Sequence, residues 1–155
     1  MYQKILVPLD GSELAECALD HAKAIAASGR SQVVLFRAIE PLLILKELDL
    51  GMADRYREAE DKFEAQVKGY LDRMAGPLRQ SGIPVETVVV HLTHVNVAGE
   101  ILNFAGERNI DLIVMSTHGR SGISRWAFGS VADRVVRHSV VPILVVVPQD
   151  CRTKN

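Results

Sequence analysis

The sequence predicts an α/β fold: an open parallel five-stranded sheet with helices on both faces, in the order β-α-β-α-β-α-β-α-β. Three observations predict it. Five short apolar runs do not alternate with polar residues, which suits strands buried on both faces. The longer segments between them repeat apolar residues every three or four positions, the period of a helix with one buried stripe. Gly, Ser, Asp and Pro gather at the junctions, where turns and helix caps use them.

The first run, Ile5-Leu6-Val7, ends at Pro8 and reads as a strand. Asp10, Gly11 and Ser12 follow as turn and cap residues, with Ser12 capping a helix that reaches about Ser28. Glu13 and Glu16 fall in its first turns, where the helix dipole favours acids. Leu14, Ala18, His21, Ala22 and Ile25 recur at helical spacing, and Gly29 closes the element. Val33 to Phe36 is the second strand. Residues 41–52, PLLILKELDLGM, are apolar but broken by Lys46, Glu47 and Asp49, and read as a connecting loop with at most a helical turn. From Asp54 to Gln80, the residues Tyr56, Ala59, Phe63, Val67, Tyr70, Met74 and Leu78 form one helical stripe, read as core. Ser81-Gly82 ends it. Val85 to Val90 is the third strand. Val97 to Arg108 is the next helix, with Ile101, Leu102 and Ala105 inward. Asp111 to Met115 is the fourth strand. Val131, Ala132, Val135 and Val136 mark the last helix, and Pro142 to Val147 the fifth strand. Residues 1–148 therefore read as one domain and residues 149–155 as a polar tail.

A chain of 155 residues can bury a substantial core, and 48% apolar against 24% charged residues excludes a disordered chain. A net charge of −1 excludes coating nucleic acid or an anionic membrane by bulk charge. No apolar run approaches the roughly 18–20 residues that a spanning helix needs. The opening, MYQKILVPLDGSE, lacks the cationic start and long apolar middle of a signal peptide. The expected location is the cytoplasm, with neither nucleic acid nor membrane as partner. Cys17 and Cys151 match no metal spacing and are read as free thiols in a reducing compartment.

Parallel sheets bind ligands at the carboxyl ends of their strands, where the strand order reverses. Two junctions here are chemically unusual: residues 8–12 after the first strand and residues 116–130 after the fourth. With those strands adjacent, the junctions face each other across a crevice. Gly119 and Gly122 let backbone amides approach an anion without interference from a Cβ. Gly129-Ser130 precedes the last helix, whose unpaired amides and positive dipole end favour an anion. Ser130 is read as cap and hydroxyl donor, and His118, Arg120 and Arg125 add donors or charge. On composition alone, glycines that merely serve turns and a Ser130 that merely caps fit equally well.

The run from Met115 to Ser130, MSTHGRSGISRWAFGS, together with Pro8-Leu9-Asp10, resembles the universal stress protein family, specifically its ATP-binding branch. That family carries Gly-x2-Gly-x9-Gly-Ser/Thr after its fourth strand. Gly119, nine residues, Gly129 and Ser130 match the last three elements, and Ser116 stands where the family has its first glycine. The likeness extends from ILVPLDGS at the start to VVRHSVVPILVV near the end. It lapses at His91 to Gly99, where the family often has a Gly-x-Pro turn.

The resemblance implies a Rossmann-like sheet of the adenine nucleotide alpha hydrolase-like kind, holding ATP with Mg²⁺. It implies that Asp10 meets the adenine or ribose side, that Pro8 and Leu9 shape that wall, and that Ala38 lines the base pocket. Met115 and Ser116 would close the floor. His118, Gly119, Arg120 and Gly122 would lead towards the phosphates, which Gly129, Ser130 and Val131 hold by backbone and hydroxyl. The implied role is a nucleotide-dependent stress-response or regulatory protein, with no catalytic residue assigned and its downstream protein partner unnamed. Two alternatives are kept: a slow ATP hydrolase or adenylyl-transfer enzyme using His118 and Arg120, and a nucleotide-free interaction protein. The very apolar last strand is expected at the sheet edge, and the resemblance implies a homodimer through it, from about Val141 to Val147.

Other signals carry less. There is no Gly-x4-Gly-Lys-Ser/Thr, no Gly-x-Gly-x-x-Gly after the first strand and no Gly-x-Ser-x-Gly. His91 and His94 lack a third metal ligand and read as surface residues. Trp126 reads as a lid or core-edge residue, and Arg134, Arg137 and His138 suit the negative end of the last helix. Gly129→Val is expected to block a phosphate while sparing the fold.

Overall fold

Every residue from Ile5 to Val7 and from Val33 to Leu35 is fully buried, as strands covered on both faces require. A computed structural model describes residues 2–41, 50–118 and 129–147, with backbone alone for residues 50–53. Its elements are β1 (Lys4–Pro8), α1 (Glu13–Glu16), α2 (Ala18–Gly29), β2 (Gln32–Ile39), α3 (Leu50–Gln80), β3 (Val85–His91), α4 (Val97–Glu107), β4 (Leu112–Ser116), α5 (Ser130–His138) and β5 (Ile143–Val146). The strands form one sheet in the order β3-β2-β1-β4-β5, with every ladder parallel. The predicted fold class, the adjacency of the first and fourth strands and the edge position of the last are all present.

The strand period of two sorts the core into two layers. Ile5, Val7, Val33, Leu35, Leu112 and Val114 face α2 and α3, through Ala18, Ala22 and Ala26 of the former and Leu71, Ala75 and Leu78 of the latter. Leu6, Val34, Phe36, Ile113 and Met115 face α4 and α5. Phe36 and Phe104 anchor that second layer with ring centroids 5.1 Å apart. A tilted aromatic pair of this kind adds roughly 0.5–1.5 kcal/mol beyond the area it buries.

Several sequence expectations change. The single helix after Ser12 is divided at Cys17. The Ser12 hydroxyl accepts from the Ala15 amide at 3.2 Å and caps α1, and α2 then starts with no side-chain cap. Cys17 itself, expected as a free thiol, is disulfide-bonded; two cysteines so far apart in sequence carry no spacing signal that announces it, and Cys151 lies outside the described residues. The long helix begins at Leu50, so residues 50–52 of the expected loop are helical, while residues 42–49 lie outside the described residues.

The α3 stripe changes as well. Val67, Leu71, Ala75 and Leu78 are buried, but Tyr56 and Ala59 are not, and Phe63 is exposed. Length explains this. The 31 residues of α3 span roughly 46 Å at about 1.5 Å per residue, whereas the seven-residue β3 beside it spans roughly 23 Å. The sheet covers only the carboxyl half of the helix, and the other half overhangs the carboxyl ends of β2 and β3. No helix among the described residues is long and apolar enough to cross a membrane.

The start of α4 shows a local constraint. The Asn96 side-chain oxygen accepts from the Gly99 amide at 3.1 Å and from Arg134 Nη1 of α5 at 3.3 Å. A Cβ on Gly99 would run into the Asn96 side chain well inside van der Waals contact. We therefore expect Asn96→Ala to cost about 1 kcal/mol, the usual worth of a cap. Gly99→Ala should bring no net gain despite better helix propensity, because displacing the cap offsets it. Equilibrium denaturation of the two variants checks both values.

Candidate functional site

β1 stays paired with β2 as far as Pro8↔Phe36, and β4 with β5 as far as Ser116↔Val146. The ladder between β1 and β4 covers only Ile5↔Leu112 and Leu6↔Ile113. Beyond those pairs the two strands part. Their helices also leave in opposite directions, α2 over one face and α5 over the other. This is a topological switch point, and a cavity of about 870 Å³ opens at it, within the range of small-molecule sites.

The β1 wall is built around a turn. Gly11 has φ +84°, a conformation that side chains resist. It lets Asp10 Oδ1 accept from both the Ser12 amide at 2.9 Å and the Ser12 hydroxyl at 2.6 Å. The carboxylate is thereby oriented by the same serine that caps α1. Beneath the turn lies Arg37 of β2, a buried cation only 6% exposed. Its Nη1 donates to the Leu9 carbonyl at 3.2 Å. A buried guanidinium costs several kcal/mol unless it is compensated. Here the Leu9 carbonyl offsets part of the cost. Tyr70 of α3 reports on the cluster. Burial raises its phenol above the usual range, the Glu16 and Asp10 charges raise it further, and Arg37 opposes them. The Tyr70 hydroxyl is buried without a hydrogen bond of good geometry, although Glu16 approaches it.

The β4 wall is closed by backbone. The Thr117 amide donates to the Val146 carbonyl at 2.9 Å, and the Gly129 amide donates to the Thr117 carbonyl at 2.8 Å. The two ends of the long connection are thus pinned together. Ser116, standing in for a glycine, is buried, and its hydroxyl accepts from the His118 amide at 3.3 Å. Thr117 Oγ1 lies 2.7 Å from His118 Nδ1 and sets the imidazole's direction.

α5 corrects one expectation. Gly129, with φ −59° and ψ 152°, is the N-cap, and Ser130 is the first helical residue, making no side-chain cap. The Gly129 amide is already bonded to Thr117. The amides of Ser130, Val131 and Ala132 have no acceptor within the helix, and these three residues line the cavity. The positive end of α5 therefore opens onto the cleft.

Of the residues expected from the sequence, Pro8, Leu9, Asp10, Ala38, Met115, Ser116, His118, Gly129, Ser130 and Val131 line this one cavity. Gly119, Arg120 and Gly122 lie outside the described residues, as do Arg125 and Trp126. Sequence reasoning missed the third wall, made by Ala59, Glu60 and Phe63 of α3 with His91 and Val95. His91 Nε2 sits 2.9 Å from Glu64 Oε2 and ties the overhang of α3 to the end of β3. Hydrogen bonds from Lys68 first and His91 second hold the Glu64 carboxyl below the usual carboxylate range. Among the described residues no group of three His, Cys, Asp or Glu side chains is placed to hold a metal ion.

Comparison with known proteins adds independent findings. A model of the universal stress protein family matches residues 1–147. Universal stress protein MJ0577 of Methanocaldococcus jannaschii is 32% identical over 94% of this chain and 95% of its own length. The solved structure of MJ0577 superposes with a TM-score of 0.77 at 30% identity, covering 95% of this chain and 96% of that one. Universal stress protein YxiE of Bacillus subtilis is 27% identical, over 94% of this chain and 99% of its own. A universal stress protein from Archaeoglobus fulgidus in complex with dAMP shares the fold, with a TM-score of 0.66 at 23% identity over 93% and 97% of the two chains.

A Cβ on Gly129 would stand 3.2 Å from the Thr117 carbonyl oxygen, so a side chain there meets the loop closure first. The fold is therefore not indifferent to Gly129→Val. We expect it to lower stability by about 1–3 kcal/mol, as overpacking does, with Gly129→Ala at or below the bottom of that range. Thermal and urea unfolding of both variants measure this, and a valine variant as stable as the parent would refute the assignment of the contact.

Proposed function

The chain belongs to the universal stress protein family, and from that membership and the cleft geometry we propose that it binds ATP between the carboxyl ends of β1 and β4. In this reading it acts as a nucleotide-dependent stress-response or regulatory protein in the cytoplasm. The observation that carries the reading is the positive end of α5, with the unpaired amides of Ser130, Val131 and Ala132, opening onto a cavity that Asp10 also lines.

The parts suit the parts of a nucleotide. The α5 amides and His118 suit the phosphate end, a role the family resemblance extends to Gly119, Arg120 and Gly122, which lie outside the described residues. Asp10, oriented by Ser12, is an acceptor for ribose hydroxyls or an amine. Leu9, Ala38 and Met115 offer apolar surface to a base, and the small side chain of Ala38 leaves it room. Mg²⁺ would travel with the triphosphate, held by phosphate oxygens and water. The dAMP complex of the Archaeoglobus relative supports the reading at the level of the fold. Occupancy of the site is the signal, with turnover slow or absent.

A homodimer through the segment from Val141 to Val147 belongs to the same proposal. β5 is an edge strand, and Val136, Val140 and Val147 expose apolar surface near it. An apolar sheet edge of this character invites pairing with a second copy.

Isothermal titration with ATP and Mg²⁺ tests the main reading. We expect a dissociation constant between micromolar and millimolar. Asp10→Ala should weaken it about tenfold or more, since hydrogen bonds to a charged group are worth roughly 1.5–3 kcal/mol. Absence of any binding heat across that range would reject the reading. Sedimentation at micromolar concentration should show a dimer.

A further inference from the structure

The amino half of α3 walls the cleft not with backbone from either junction but with side chains of its own. The buried stripe of this helix stops at Val67. One turn earlier Phe63 is 40% exposed and lines the cavity, as do Ala59 and Glu60. Residues 59, 60 and 63 share one helix face by their spacing of three and four. Val95, in the β3–α4 connection, is 59% exposed and lines the same cavity.

Two further contacts hold this wall in place. Tyr56 lies one turn before Glu60, and its phenol is pushed up by burial first and by the neighbouring Glu60 carboxylate second. Glu64, next to Phe63, is bound to His91 at the end of β3, so the overhanging helix is tied to the sheet. A half-wet aromatic ring, a small neighbour and a carboxylate thus share one cavity wall. A ring so placed gains by being covered with a flat apolar surface, and a carboxylate accepts hydrogen bonds only.

Resting on the nucleotide reading above, we infer that α3 supplies the outer wall of a purine-base subsite, in which Phe63 stacks on the base and Glu60 accepts from its exocyclic amino group. The cleft then selects an aminopurine by two residues of a helix that lies outside both chemically unusual junctions. Stacking tolerates any base, because every base has a π face. Choice among bases falls to Glu60, which an analogue without the amine would cover without offering it a donor.

The test uses the full chain, with calorimetric titration of ATP and of purine riboside triphosphate, which lacks the amine. The parent should prefer ATP by about tenfold. Phe63→Ala should weaken both ligands about tenfold and keep their ratio, and Phe63→Trp should bind both like the parent where Phe63→Leu does not. Glu60→Ala should erase the preference while sparing the analogue. Because Phe63 is exposed and Glu60 only partly buried, melting temperatures should stay near the parent's. The inference is overturned if Phe63→Ala binds both ligands like the parent, if Phe63→Leu serves as well as Phe63→Trp, or if Glu60→Ala keeps the ratio. A parent that binds neither ligand would remove the nucleotide reading as well; a parent that binds ATP with indifferent variants would remove only this one.

Discussion

The short ladder between β1 and β4 is the constraint on which the rest of the molecule depends. Two residue pairs, Ile5↔Leu112 and Leu6↔Ile113, join the halves of the sheet at its centre. They are few because the chain reverses its winding there, sending α2 over one face and α5 over the other. Diverging helices cannot cover the seam, so the strands separate towards their carboxyl ends and leave a cavity. Residues 8–10 and the described ends of the second junction, 116–118 and 129–130, then fall at its rim.

A rim of this kind has to satisfy its backbone without filling the space. The molecule does so by pairing some amides and leaving others. Thr117 and Gly129 join the two ends of the long connection, and the Ser116 hydroxyl takes the His118 amide. The first turn of α5 keeps its amides, because a helix has no internal acceptor for them. The result is an edge carrying a concentrated partial positive charge at the start of α5. On the opposite rim, Asp10 is turned by Ser12 into a fixed acceptor. Donors and acceptor thus stand on separate walls before any ligand arrives, which reduces the ordering that binding would otherwise require.

Beneath the β1 rim, Arg37 is an expensive residue to bury. A cation in the layer that also holds Val33 and Leu35 gives up packing energy that an aliphatic residue would supply. What it contributes is position: Nη1 holds the Leu9 carbonyl, one residue before Asp10. The phenol of Tyr70 beside it is pushed up by burial first and by the Glu16 and Asp10 charges second, while Arg37 opposes them. α3 therefore has two roles along its length. Its carboxyl half closes the core with Val67, Leu71, Ala75 and Leu78, and its amino half runs past the sheet and walls the cleft.

The amino-acid order by itself determined the five strands, their parallel arrangement and the cleft walls at the ends of β1 and β4, though not the division of the first helix at Cys17. Unalternated apolar runs, helical periods and the glycines, serine and acid at residues 8–12 and 116–130 are local chemistry, and local chemistry is legible in one dimension. Ten of the expected site residues meet in the cavity for that reason. Tertiary structure alone decided the remainder. That Phe63 faces a cleft while Val67 faces core depends on where the sheet ends relative to a longer helix, and the periodic stripe is identical on either side of that point. That Arg37 lies under Asp10, that His91 meets Glu64 and that Gly129, not Ser130, caps α5 are equally matters of distance between parts remote in sequence. Pairings of that kind are set by strand length and register, which no window along the chain contains.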